Sequence, residues 1–95
     1  VAIVKGPVPY TLTEVNIESV AYLHIDMNCT PPEKAAIDHF WPKMVKGGLV
    51  IWDDYGFSGH ESQKKAADDF AAGIGRKILQ LPTGQGLLIN NVYIP

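Results

Sequence analysis

The sequence predicts an α/β fold: a mixed sheet, mostly parallel, ending in an antiparallel hairpin, with helices on both faces. Three observations predict it. Apolar, β-branched runs recur at Val1–Val4, Val20–Ile25 and Leu49–Trp52. Stretches with apolar residues three and four apart lie between the later runs, which makes those connections helical crossovers and the strands they join parallel. Two final apolar runs, Lys77–Leu81 and Leu87–Ile94, are separated only by Pro82-Thr83-Gly84-Gln85-Gly86, a loop short enough to make them a hairpin.

Each element has its own justification. Val1–Val4 is closed by Lys5-Gly6-Pro7 and reads as a strand and turn. Val20–Ile25 (VAYLHI) is almost wholly apolar, as a central strand covered on both faces would be. Thr30 reads as an N-cap, with Pro31, Pro32 and Glu33 in the first helical turn, where proline and acid are favoured. Ile37, Phe40, Trp41, Met44 and Val45 then form one apolar face. Pro42 kinks or ends that helix, and Gly47-Gly48 stop it before the Leu49–Trp52 strand. A second helix spans about Ser62 to Ala72, with Ala66, Phe70 and Ile74 on its apolar stripe and Gly73 and Gly75 at its end.

Composition narrows the function classes. The 95 residues read as a single domain with net charge −2 and 46% hydrophobic content. No Lys/Arg stripe exists to neutralise a row of phosphates, so nucleic acid is not the expected partner. No apolar run approaches the roughly 18–20 residues of a membrane span. The lone cysteine, Cys29, excludes an intrachain disulfide and suits a reducing, cytoplasmic setting.

The residues that carry chemistry lie at strand ends. Asp26 follows directly on Val20–Ile25, and Asp53 and Asp54 follow directly on Leu49–Trp52. Ligands of open parallel sheets bind beyond the carboxyl ends of the strands. On adjacent strands these three acids would converge and repel one another, a penalty that a divalent cation removes. Hard oxygen donors with positions left for water suit magnesium better than zinc. The plainer reading is that Asp53-Asp54-Tyr55-Gly56 is a turn and Asp26 a helix-capping acid. His24, inside an apolar strand, reads first as a core histidine, while His39 and His60 have no zinc-like spacing. Cys29 has no CxxC partner, and Trp41 and Trp52 read as core. Gly84 and Gly86 serve the hairpin, and Lys64 and Lys65 beside Asp68 and Asp69 make a solvated helix face.

Taken in order, these segments resemble the C-terminal half of a class I S-adenosylmethionine-dependent methyltransferase, most closely the macrocin O-methyltransferase (TylF) family. The resemblance rests on Lys5-Gly6 with Thr11-Leu12, His24-Ile25-Asp26, Phe40-Trp41-Pro42-Lys43, Gly47-Gly48, Asp53-Asp54-Tyr55-Gly56 and Gly84-Gln85-Gly86. It implies a partial Rossmann-like methyltransferase sheet and O-methylation of a sugar or other small-molecule hydroxyl. It also implies that Asp26, Asp53 and Asp54 bind magnesium and that Asp26 accepts the hydroxyl proton. The family often has an acidic residue and a tyrosine after the strand-end acid, where this chain reads Met27-Asn28-Cys29-Thr30.

The family's donor-binding turn, E-x-G-x-x-x-G, does not occur in these residues. The resemblance therefore implies a fragment that is inactive alone, its first strand matching the family's third in a sheet ordered 3-2-1-4-5-7-6. Val1–Val4 is then expected to move in beside Val20–Ile25, or two chains to pair as a homodimer along that exposed edge. Two other readings stand beside the methyltransferase. Asp26-Met27-Asn28-Cys29-Thr30 looks like the D-x-[DN]-x-T motif of haloacid-dehalogenase-type phosphotransferases, with Asn28 where a general acid is usual. A non-catalytic half-domain serving binding or oligomerisation is the third.

Overall fold

The computed structural model describes residues 3–91. Its regular elements are four strands, β1 (Val20–Ile25), β2 (Met44–Trp52), β3 (Leu79–Gln80) and β4 (Gly86–Asn90), and two α-helices, α1 (Thr30–Phe40) and α2 (Glu61–Gly73). Short 3-10 turns occupy Tyr10–Glu14 and Trp41–Lys43. The strands form one mixed sheet in the order β1-β2-β4-β3.

The sheet is not the mostly parallel one expected. β1 and β2 pair in parallel, but β2–β4 and β3–β4 are both antiparallel. The reason lies in the hairpin. The α2 crossover does carry the chain across the sheet, but β4 returns between β2 and β3 and becomes the neighbour of both. A single inserted antiparallel strand thus turns two of the interfaces antiparallel.

Both helices lie on one face, another departure from expectation. Ile37 of α1 and Ala67 of α2 share a core with Ile25, Val50, Trp52 and Leu88, and Phe70 packs against both Trp41 and Trp52. Strand alternation sends the intervening residues to the opposite face, where Tyr22, Leu49 and Ile89 are exposed. β1 is accordingly no central strand. Among the described residues it has a partner on one side only, and only Val20 and Ile25 of its six residues are buried. Of the first expected strand, Val1 and Ala2 lie outside the described residues, and Ile3 and Val4 are exposed and not in a strand.

The α1–β2 junction also differs in detail. Pro42 ends the helix as its missing N–H requires, and Trp41–Lys43 tightens into a 3-10 turn. Met44 and Val45 then belong to β2 rather than to the helix. Gly47 and Gly48 sit inside the strand, where the register jumps from Val20↔Met44 to Tyr22↔Leu49 and the surplus residues bulge. Gly47 takes φ +84°, and a Cβ on Gly48 would lie 3.2 Å from the Ala21 carbonyl oxygen of β1. The Asn90 amide donates to the carbonyls of Met44 and Val45 and closes the bulge. Thr30 does not cap α1. Cys29 holds that position without a side-chain bond, and the Thr30 hydroxyl instead meets Ser62 Oγ of α2 at 2.8 Å. The stripe of α2 is rotated from the expected one, with Gln63, Ala67 and Ala71 buried and Ile74 exposed.

Candidate functional site

The parallel register of β1 and β2 builds the site. Ile25 pairs with Trp52, and the Asp53 amide donates to the Ile25 carbonyl at 2.9 Å, so the two strands end together. Asp26 and Asp53 therefore leave the sheet side by side. His24 lies on the open face of β1, one residue before the buried Ile25, and its Nε2 stands 3.3 Å from Asp53 Oδ1. Ligand atoms of His24, Asp26 and Asp53 all lie within 4.8 Å of one another.

The hairpin loop adds a fourth group. Gln85 Nε2 donates to Asp53 Oδ1 at 2.9 Å. That bond first, and the His24 imidazole second, hold the Asp53 carboxyl below its ordinary value and keep it ionised. The Asp26 carboxyl is exposed, open to an incoming group.

Asp54 is placed differently. It follows Asp53 by one residue and is absent from the group of three; its Oδ2 is buried without a hydrogen-bond partner among the described residues. Its electrostatic neighbour is Glu33 of α1, which is only 5% exposed. Burial raises the Glu33 carboxyl above its ordinary value, and the Asp54 charge adds to the rise, while bonds from the Met27 amide and Gln63 oppose it. Thus the structure brings together two of the three acids read from the sequence and leaves the third carboxylate on the helical side.

The other candidates fall as follows. His24 is not a core histidine, since the face it occupies has no covering helix among the described residues. His39 keeps Nε2 buried at the end of α1 with no hydrogen-bond partner among the described residues, and His60 Nδ1 meets Gln63 Oε1. Cys29 is exposed, and Trp52 is core. Lys65 and Asp69 form an exposed pair, but Lys64 and Asp68 are drawn in against the buried Tyr55, whose hydroxyl donates to Asp68. The sequence showed Glu33 only as an acid of the first helical turn and Gln85 only as part of Gly84-Gln85-Gly86, with no part in the site for either. The alternation Tyr22, His24, Asp26 was the available signal for His24, because it places the three on one side of the strand.

Two carboxylates just beyond the ends of adjacent parallel strands, with an imidazole from the end of one strand beside them, stand at the edge where open α/β sheets commonly take ligands. The sequence model of the macrocin O-methyltransferase (TylF) family matches residues 1–80, and the chain belongs to that family. Membership implies O-methyltransferase activity, use of S-adenosylmethionine as methyl donor and a small-molecule acceptor. No curated protein matches the chain. No helix among the described residues is long and apolar enough to cross a membrane.

Proposed function

We propose that these residues form the acceptor-activating part of a magnesium-assisted O-methyltransferase acting on the hydroxyl of a sugar or similar small molecule in the cytoplasm. The observation that carries this reading is the convergence of Asp26, Asp53 and His24 within 4.8 Å at one strand end. The donor set fits a hard divalent cation: Asp26 and Asp53 offer oxygen ligands side by side with positions left for water and acceptor, while Asp54, on the helical side, stands outside the group. When bound, magnesium supplies charge that lowers the pKa of a coordinated hydroxyl. Asp26 takes the hydroxyl proton, since its carboxylate is exposed beside the site. Asp53, held ionised by Gln85 and His24, fixes the register of the acceptor. Methyl transfer is then an in-line displacement in which positioning supplies much of the rate.

The glycine-rich donor turn is absent from these 95 residues, so in this reading they neither bind the donor nor turn over alone. The outer edge of β1, unpaired among the described residues, and the apolar face bearing Tyr22, Leu49 and Ile89 make a homodimer the proposed way of covering both. Light scattering that finds only monomer would remove that part of the proposal. Thermal unfolding in magnesium tests the site itself. Ion at about 100 times its dissociation constant stabilises the fold by about 2.7 kcal/mol, a shift that Asp26→Asn and Asp53→Asn should each abolish. An equal shift in both variants would refute the site, and micromolar binding of S-adenosylmethionine would refute the assignment of donor binding elsewhere.

A further inference from the structure

We infer that Glu33 is a positioning residue for Asp26, holding the turn that follows the strand-end acid; the inference rests on the proposed role of Asp26 as an ion ligand and base. Glu33 lies in the first turn of α1 and is 5% exposed, an expensive place for a carboxyl group. Its bonds explain what keeps it there. Oε2 accepts the Met27 amide, one residue beyond Asp26, at 3.2 Å. The same oxygen accepts Gln63 Nε2 of α2 at 3.1 Å, and Gln63 Oε1 in turn meets His60. One carboxylate thus ties the 26–29 turn to both helices.

The turn needs such a tie. Asn28 sits at φ +53°, a left-handed conformation that L side chains adopt at a cost and that must be held by surrounding contacts. Cys29 caps α1 without a side-chain bond, so the usual local anchor at a helix start is missing. Among the described residues, Glu33 is the one side chain that hydrogen-bonds the backbone of this turn. Fixing the Met27 amide fixes the peptide that leaves Asp26, and hence the direction of the Asp26 side chain relative to Asp53. Glu33 itself is not one of the three residues whose ligand atoms converge at the strand end.

The test separates positioning from plain stabilisation. Mn²⁺ affinity is measured by electron paramagnetic resonance on the wild-type chain, Glu33→Ala, Glu33→Asp, Glu33→Gln and Ile37→Val, each below its unfolding temperature. Glu33→Asp keeps the charge but shortens the reach to Met27. Glu33→Gln keeps an acceptor oxygen and removes the charge facing Asp54. Ile37→Val trims the core of α1 without touching the turn.

Loss of an outer-shell support weakens metal affinity by about tenfold or more. That loss is expected for Glu33→Ala and Glu33→Asp, with affinity near wild type for Glu33→Gln and Ile37→Val. Wild-type affinity in folded Glu33→Asp would overturn the inference and leave the ion site standing. If the wild-type chain binds no Mn²⁺, the ion reading fails by itself. The inference is then decided by amide exchange at Met27 and Asn28. Faster exchange in Glu33→Asp but not in Ile37→Val upholds it, and unchanged exchange overturns it.

Discussion

Truncating Ile25 probes the packing that delivers Asp26 to the site. Ile25 is 1% exposed, among the largest fully buried side chains, and lies against the helical layer one residue before Asp26. Ile25→Ala removes three side-chain carbons, whose lost burial costs about 2.4 kcal/mol at roughly 0.8 kcal/mol per carbon. The cavity left behind raises the total to about 3–4 kcal/mol, within the range for isoleucine-to-alanine changes in cores. A chain of 95 residues has a net stability of roughly 5–14 kcal/mol, so a large fraction is lost. The melting temperature should fall by roughly 12–30 °C. Tyr22 supplies the internal comparison, since it stands on the same strand but is 60% exposed on the open face. Tyr22→Ala, measured at concentrations where the chain is monomeric, should change stability by no more than about 0.5 kcal/mol. Urea denaturation of both variants, with midpoint and slope fitted separately, measures the contrast. Equal costs at the two positions, or a cost below about 1 kcal/mol at Ile25, would refute the one-sided packing of the sheet.

Three further outcomes follow from the same geometry. Burial raises the Glu33 carboxyl above 4.5, so its contribution to stability is present below that value and is lost as pH rises through the folded pKa. Glu33→Gln should therefore gain on the wild type in melting temperature at pH 7 relative to pH 4, and a constant difference across that range would contradict the burial argument. Gln85→Ala removes the larger of the two bonds that hold the Asp53 carboxyl below 3.8, so its midpoint should move up towards that value in a carbon-detected NMR titration. A Cβ on Gly86 would lie 2.6 Å from Tyr55 Cγ and 2.9 Å from Ile78 Cγ2, so Gly86→Ala should cost about 1–3 kcal/mol through overpacking, measured by thermal unfolding.

Much of the layout was legible in the residues because local rules govern it. Pro42 ends α1 wherever the helix packs, since proline lacks the donor that a helix interior needs. The short run read as a link at 82–86 forces a hairpin, whose loop in the structure is residues 81–85 because Gly86 pairs with Gln80, and the apolar Leu49–Trp52 run forms the buried end of β2. Asp26 and Asp53 were readable as neighbours, because parallel strands joined by one helix end at the same edge. The family, too, was legible, since an ordered set of short motifs survives in the primary sequence.

Tertiary structure decided the rest, and in each case the reason is a neighbour that sequence spacing cannot name. β4 slipped between β2 and β3, which made the sheet mostly antiparallel although α2 joins strands as a crossover would. The apolar VAYLHI run could not reveal that, among the described residues, only one of its faces would be covered, because β-branched and aromatic residues suit an edge as well as a centre. Gly47-Gly48 read as a helix stop until β1 and Asn90 closed around them as a bulge. His24 became a site residue only when the open face placed it beside Asp53, and Glu33 became a bond acceptor for Met27 only when α1 folded back on the turn. The sequence by itself determined which acids end the strands. Packing determined which of them meet, because alternation beyond a strand end depends on the turn that follows, and that turn is held by side chains from elsewhere in the chain.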